Sequence, residues 1–403
     1  MNSDTAEELI YMDYNATTPV AKEVMTSISE SLLRDWGNPS SSHVYGQTSK
    51  ESISKARAQI ADMLGAQPSE ITFTSGGTES NNMIIYGILQ YFRSFQNSHP
   101  GELTGRPHII TTNVEHDSVI LPIMHLTKEF VTDCSIVKVN HRGVIDVQDV
   151  ISQINENTCL ITVMTANNET GAIMPIAEIG EKLSAINAKR ESRNKMKILF
   201  HTDAAQIIGK EKITAADLKV DYITVVGHKF YGPRIGCVWA QGPLYRVFHG
   251  GGQESGIRPG TENTPMIVGL GRAAELVTQN VIEYKKNMLM CREYLEAKLK
   301  EAFGKNVVIN CQATNRLPNT VNASFIGDLT GGEILSRCKH LIASVGAACH
   351  GGQCSQVLIN SGIPERLAMS AIRLSVGRET TLQDIDIVVA DITQAIASAK
   401  KIP

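Results

Sequence analysis

Two short motifs hold residue types that could share one reaction. His201–Gln206 reads HTDAAQ, and twenty-six residues after its aspartate comes Lys229 in GHKFYGP, residues 227–233. Each follows an apolar run, KILF and DYITVV, of the kind that forms a buried strand. Asp203 and Lys229 are therefore predicted just past strand ends, where open α/β sheets bind ligands. A lysine amine there can condense with an aldehyde. A carboxylate set against a pyridine nitrogen keeps that nitrogen protonated, so the ring accepts electrons. Pyridoxal 5'-phosphate is the cofactor that needs both.

Other segments supply complementary chemistry. TSGGTES (74–80) follows a short strand and precedes the apolar run MIIYGILQYF, so Gly77 and Thr78 fall at a helix N-terminus, whose free N–H groups bind phosphate. A plain strand-to-helix turn would look the same in isolation. His116, in NVEHDS, follows the HIITT strand, and Asn168 lies in NNETG; by type alone, both are ordinary strand-end or turn residues. Arg373, in AIRLSVGR, offers a planar two-pronged donor for an amino-acid carboxylate, with Arg378 as its competitor and a surface strand residue as the plainer reading. Cys349 sits among small residues in SVGAACHGGQCSQVL, a setting in which a thiolate can be exposed and reactive. Cys349, His350 and Cys354 lack a fourth ligand and the usual metal-site spacing, so no metal centre is expected.

The elements that must position these groups are legible as alternating patterns. Strand-like runs stand at 71–73, 108–112, 135–139, 160–165, 198–200, 222–226 and 237–240, with helix-patterned segments between several of them. This predicts an α/β fold with a mostly parallel central sheet covered by helices. Helical spacing is also expected at Val24, Ile28, Leu32 and Trp36, and at Ile53, Ala56, Ile60 and Leu64. Residues 93–107 read as a polar surface connection. After the glycine-rich HGGGQESGIRPGTEN (249–263) a long helical pattern over 265–303 leads into short strands and helices, an α+β second unit.

Composition bounds the function classes. The 403 residues are 42% hydrophobic and 20% charged, ordinary for a globular protein of two domains. A net charge of −3 without a long like-charge block gives nucleic-acid binding no electrostatic support. No apolar run reaches the roughly 18 residues a membrane helix requires. The first residues, MNSDTAEELI, are acidic and lack a hydrophobic segment, which points to a cytosolic location. Eight scattered cysteines contain no C-x-x-C pair, so most are expected to be small buried hydrophobes.

Taken together, HTDAAQ, GHKFYGP, TSGGTESNN and NNETG, with YMDYNATTP (11–19) and RLSVGR (373–378), resemble the cysteine desulfurase and selenocysteine lyase branch of the class V aminotransferase family over nearly the whole chain. The resemblance implies fold type I, with residues 17–264 as a large cofactor-binding domain and 1–16 with 265–403 as a small α+β domain carrying the Cys349 loop. It implies pyridoxal phosphate held by Gly77, Thr78 and His228 at the phosphate, Gln206 at the ring hydroxyl, Asp203 at the ring nitrogen, and His116 over the ring. Asn168 would contact cofactor and substrate, Arg373 the substrate carboxylate, and Cys349 would receive or protonate the departing chalcogen. A homodimer is also implied, with Thr261 reaching the other subunit's phosphate. YMDYNATTP, EHDS, GHKFYGPRIG, RPGTENTPMIVGLG and SVGAACH together resemble the selenocysteine lyase side of this branch more than the general desulfurases, which implies L-selenocysteine over L-cysteine as substrate, with Asp117 beside His116 as a selectivity residue or a local backbone partner. Desulfuration of cysteine with transfer to an acceptor protein, ordinary transamination, and a silent scaffold for assembly proteins are the other readings.

Overall fold

The computed structural model describes residues 9–346 and 354–399. Its centre is a seven-stranded sheet ordered β2-β8-β7-β6-β5-β3-β4, built from β2 (Ile71–Thr74), β3 (His108–Thr112), β4 (Asp133–Val137), β5 (Thr158–Thr162), β6 (Leu199–Asp203), β7 (Tyr222–Val226) and β8 (Gly236–Ala240). Only β8 runs against the others, pairing antiparallel with both β7 and β2. Alternate residues of each strand enter opposite cores, as the two-residue strand period requires. Ile110, Ile161, Phe200 and Ile223 face one core, while Ile109, Leu160, Leu199 and Tyr222 face the other. Burial on both faces explains why these strands read as continuous apolar runs.

Helices α1 (Lys22–Arg34) and α2 (Val44–Leu64) precede the sheet, whereas α3 (Gly77–Ser98) and α4 (Asp117–Lys128) follow β2 and β3. The connections from β4 to β7 contain α5 (Val147–Ser152), α6 (Ile176–Glu191) and α7 (Ala215–Leu218). The forty-residue α8 (Thr264–Phe303) spans two cores. Ile267, Leu270, Ala274 and Val277 join the first, and Met288, Cys291, Leu295 and Leu299 pack with a second antiparallel sheet and the C-terminal helix Leu382–Ala399. That sheet has the order β12-β10-β9, from β9 (Val307–Ile309), β10 (Thr320–Phe325) and β12 (Ala371–Ser375). The short β1 (Ile10–Tyr11) pairs in parallel with β11 (Leu341–Ile342), so residues 10–12 pack within the second core through Ile10 and Met12.

Two local expectations change, and one short strand was not anticipated. Residues 93–98 belong to α3, because Phe92 and Phe95 prolong its apolar face into the core, and His99 then stacks on Phe95 at 4.1 Å between ring centroids. The stripe read on α1 is only partly internal: Val24 is buried, but Leu32 and Trp36 are exposed. Trp36 instead lies against Tyr45, with ring centroids 4.7 Å apart. The two-residue β1 gave no periodic signal.

Candidate active site

Segments that follow the carboxyl ends of β2, β3, β5, β6 and β7 converge on one cavity of about 410 Å³, within the range of small-molecule sites. These strands share one direction, and so deliver their following loops to the same edge. Gly77, Thr78, His116, Asn168, Asp203, Gln206, His228 and Lys229 all line it, joined by Arg373 from β12. Asp13, Asn15 and Ala16 close it from the N-terminal segment, and Ser344 and Gly346 from the second core.

Asp203 ends β6 opposite Thr224 of β7, and a chain of buried polar groups holds its carboxylate. Asn81 Nδ2 donates to Asp203 Oδ2 at 2.8 Å, and the Ala205 amide donates to Oδ1 at 2.9 Å. Asn81 is itself fixed: its oxygen accepts from Thr224 Oγ1 at 2.7 Å, and Nδ2 also donates to Ser118 Oγ at 2.8 Å. The Ser118 amide donates to His116 Nδ1 at 3.1 Å, so the histidine caps α4 through that nitrogen. Behind this chain Glu115 is buried, and burial pushes its carboxyl up to about 8 despite hydrogen bonds from Thr112 and the Met164 amide.

Lys229 follows β7 through the tight turn Gly227–Lys229. Its Nζ donates to the carbonyls of Asn15 at 2.9 Å and Ala16 at 2.8 Å. Burial, followed by the Arg373 charge, lowers its ammonium to about 8, which brings the neutral, nucleophilic amine close to physiological pH. Asn15 is a junction as well as a wall. Its Nδ2 reaches Thr320 Oγ1 at 2.8 Å and the Asn168 carbonyl at 3.2 Å, while its amide donates to Ser375 Oγ at 3.0 Å.

At the other end of the cavity α3 starts without a side-chain cap, which leaves first-turn N–H groups for an anion. Gly77 is required by close approach: a Cβ there would lie 2.7 Å from Val226 Cγ2, so the helix start rests directly on β7. Burial, with the Lys229 charge next, lowers the adjacent His228 to about 4, leaving a neutral ring.

Arg373 is buried. It donates through Nη2 to Asp13 Oδ1 at 2.7 Å and through Nη1 to the Asn168 carbonyl at 3.2 Å, while its Nε has no hydrogen-bond partner among the described residues. Arg378 is absent from the cavity lining; its guanidinium lies over the Tyr231 and Tyr284 rings, 4.0 and 4.8 Å from their centroids.

Asp117, Thr261 and Cys354 do not line this cavity either. Asp117 is exposed at the first position of α4. Thr261 is exposed on the loop before α8, and that loop is tied down by Glu254 to Arg57 at 2.6 Å and by Arg258 to Glu79 at 2.7 Å. Cys349 lies outside the described residues. Sequence reading passed over Asp13, Asn15, Ala16, Asn81 and Ser344. For Asn81 a signal existed, because four residues after Gly77 is the same face of α3. Asp13, Asn15 and Ala16 lie in the motif YMDYNATTP, but their contacts, like those of Ser344, join distant parts of the chain.

The groups present suit pyridoxal phosphate: uncapped amides for the phosphate, a fixed carboxylate for the ring nitrogen, and an amine of lowered basicity for the aldehyde. Comparison with known proteins agrees. The Aminotransferase class-V family model matches residues 10–388. Selenocysteine lyase of Bos taurus is 47% identical, over 96% of this chain and 93% of that protein. Cysteine desulfurase IscS of Methanosarcina thermophila is 39% identical, over 96% of this chain and 91% of that one. Among solved structures, a NifS-like protein superposes with a TM-score of 0.85 at 31% identity, covering 97% of this chain and 100% of its own. This chain belongs to the class-V aminotransferase family, whose desulfurase and selenocysteine lyase members are pyridoxal phosphate enzymes of fold type I.

Proposed function

We propose that this protein is a selenocysteine lyase, which removes selenium from L-selenocysteine and leaves L-alanine, with selenide as the product when a thiol reductant is present. The observation that carries the reading is the 47% identity to a selenocysteine lyase over nearly the full length of both chains, against 39% for a cysteine desulfurase. Desulfuration of L-cysteine is the second reading, favoured by that same desulfurase likeness.

Bound pyridoxal phosphate supplies an electron sink for the charge left when the substrate loses its α-proton. The chain's own groups do the rest. Gly77, Thr78 and His228 hold the phosphate, Asp203 keeps the ring nitrogen protonated, and Gln206 and His116 contact the ring. Lys229 carries the cofactor and then takes the α-proton at Nζ. Arg373 binds the substrate carboxylate and Asn168 contacts cofactor and substrate; the Arg373 Nε, without a hydrogen-bond partner among the described residues, supports the first role. Cys349 accepts or protonates the departing selenium, and Asp117, next to His116, biases the choice of chalcogen.

The working units are residues 17–264 and the combination of 1–16 with 265–403, connected through α8. Two copies form a homodimer, in which Thr261 reaches the partner's phosphate site. Its exposure, the anchoring of its loop, and the exposed Leu32, Leu33, Trp36, Val44 and Tyr45 support that arrangement. A selenium or sulfur acceptor protein would take the product.

The deciding experiment is a parallel product assay of the cofactor-loaded protein with L-selenocysteine and L-cysteine, measuring alanine with selenide or sulfide. Alanine and selenide formed faster from selenocysteine is the expected result. Faster turnover of cysteine would replace the reading with desulfuration, and 2-oxo acid without alanine would replace it with transamination.

A further inference from the structure

A second buried lysine stands behind the cavity. Lys210 is 4% exposed and lies outside the cavity lining. Its Nζ is 2.9 Å from Gln206 Oε1 and 3.0 Å from Asn15 Oδ1. Gln206 Nε2 donates to the Asn15 carbonyl at 3.0 Å, the same carbonyl that accepts from Lys229 at 2.9 Å.

These contacts fix which way round the Gln206 amide stands. A carbonyl oxygen only accepts, so the Gln206 atom facing Asn15 is the nitrogen, and the atom facing the Lys210 donors is the oxygen. Reversal would set oxygen against oxygen and turn an N–H₂ group toward an amine. One hydrogen on Nε2 goes to Asn15, and the other is left for the cavity, which Gln206 lines. Burial, then the Lys229 and Arg373 charges, holds the Lys210 ammonium well below the ordinary lysine range. The two acceptors, Gln206 Oε1 and Asn15 Oδ1, hold the Lys210 Nζ between them.

We propose that Lys210 is a positioning residue: it holds Gln206 so that an N–H donor faces the pyridoxal phosphate ring, and through Asn15 it couples that donor to Lys229. The proposal rests on the reading of Gln206 as a ring contact. Without Lys210 the Gln206 oxygen loses its hydrogen-bond partner among the described residues, and the amide is free to turn.

A double-mutant cycle on cofactor binding tests this. Cofactor-free wild type, Lys210→Met, Gln206→Ala and the double variant are titrated with pyridoxal phosphate, reading the dissociation constant and the absorption maximum of the bound cofactor, which responds to hydrogen bonding at the ring. Each single variant is expected to bind about tenfold more weakly with a displaced maximum, and the double variant no more weakly than Gln206→Ala. Wild-type affinity and absorption in Lys210→Met, or a loss that adds in full to that of Gln206→Ala, overturns the role of Lys210. Unchanged binding and absorption in Gln206→Ala overturns the reading of Gln206 itself. If Lys210→Met does not fold, Lys210→Gln takes its place; its side chain is one bond shorter and cannot keep both contacts, so the same coupled loss is expected, and wild-type binding again overturns the proposal.

Discussion

Lys229 sits where two opposing influences meet. Burial and Arg373 disfavour its ammonium form, whereas Asp203 and Asp13 favour it, and the outcome is a value near 8. The neutral amine therefore predominates above pH 8 and is lost as pH falls below it. In cofactor-free protein, covalent capture of pyridoxal phosphate, trapped with borohydride and quantified by mass, is expected to rise with pH to half-maximum near pH 8. Half-maximal capture above pH 10 would show that the environment does not depress this amine. A second residue-scale test concerns the thiols. Cys349→Ala is expected to exchange the substrate α-proton with solvent deuterium while losing at least about a hundredfold in selenide release, because Lys229, Asp203 and Arg373 are untouched. Cys354→Ala is expected to be mild; the opposite order would move the chalcogen chemistry to Cys354.

The elements matter through where they start. β2 delivers the first turn of α3 to the cavity with no capping side chain, and Gly77 lets that turn lie on β7. Gly77→Ala forces its Cβ to within 2.7 Å of Val226 Cγ2, so the helix start must lift. Pyridoxal phosphate affinity is expected to fall by about tenfold, with the rest of α3 held by Ile84, Ile85 and Ile88 in the core and the far-ultraviolet spectrum unchanged. Wild-type affinity in a titration of this variant would argue against a phosphate at this helix start. α4 works the same way, since His116 serves as its cap and is thereby oriented toward the cavity it lines.

The whole molecule brings together two cores that would otherwise leave the cavity open on one side. The first supplies the strand ends and the second supplies Arg373, Ser344 and Gly346; Asn15 is hydrogen-bonded to both through Gln206, Thr320 and Ser375. The proposed second subunit would enter at this scale. The protein is expected to be a homodimer by light scattering at working concentration, and Thr261→Ala is expected to weaken cofactor binding several-fold without dissociating the dimer. A monomer that is fully active in the same buffer would refute the shared site.

Local sequence determined the strands of the central sheet and the residue types beyond them. Burial on both faces leaves continuous β-branched runs such as YITVV, and a glycine pair before a helix leaves its own mark. Asp203 and Lys229 as candidates followed from that, whereas Gly77 also needed their company and the family resemblance, and α8 was legible because forty residues of helical spacing average out local noise. Tertiary structure decided the rest. Arg373 and Arg378 lie five residues apart on the same motif, and only packing sends one guanidinium to Asp13 in the cavity and the other onto Tyr231. The stripe on α1 carried no statement of which apolar residues would find a partner, and Leu32 and Trp36 did not find one in this core. The Asn15 junction joins residues as far apart as Ser375. Its basis is hydrogen bonding between segments whose proximity depends on the completed fold, a property that no window of sequence contains.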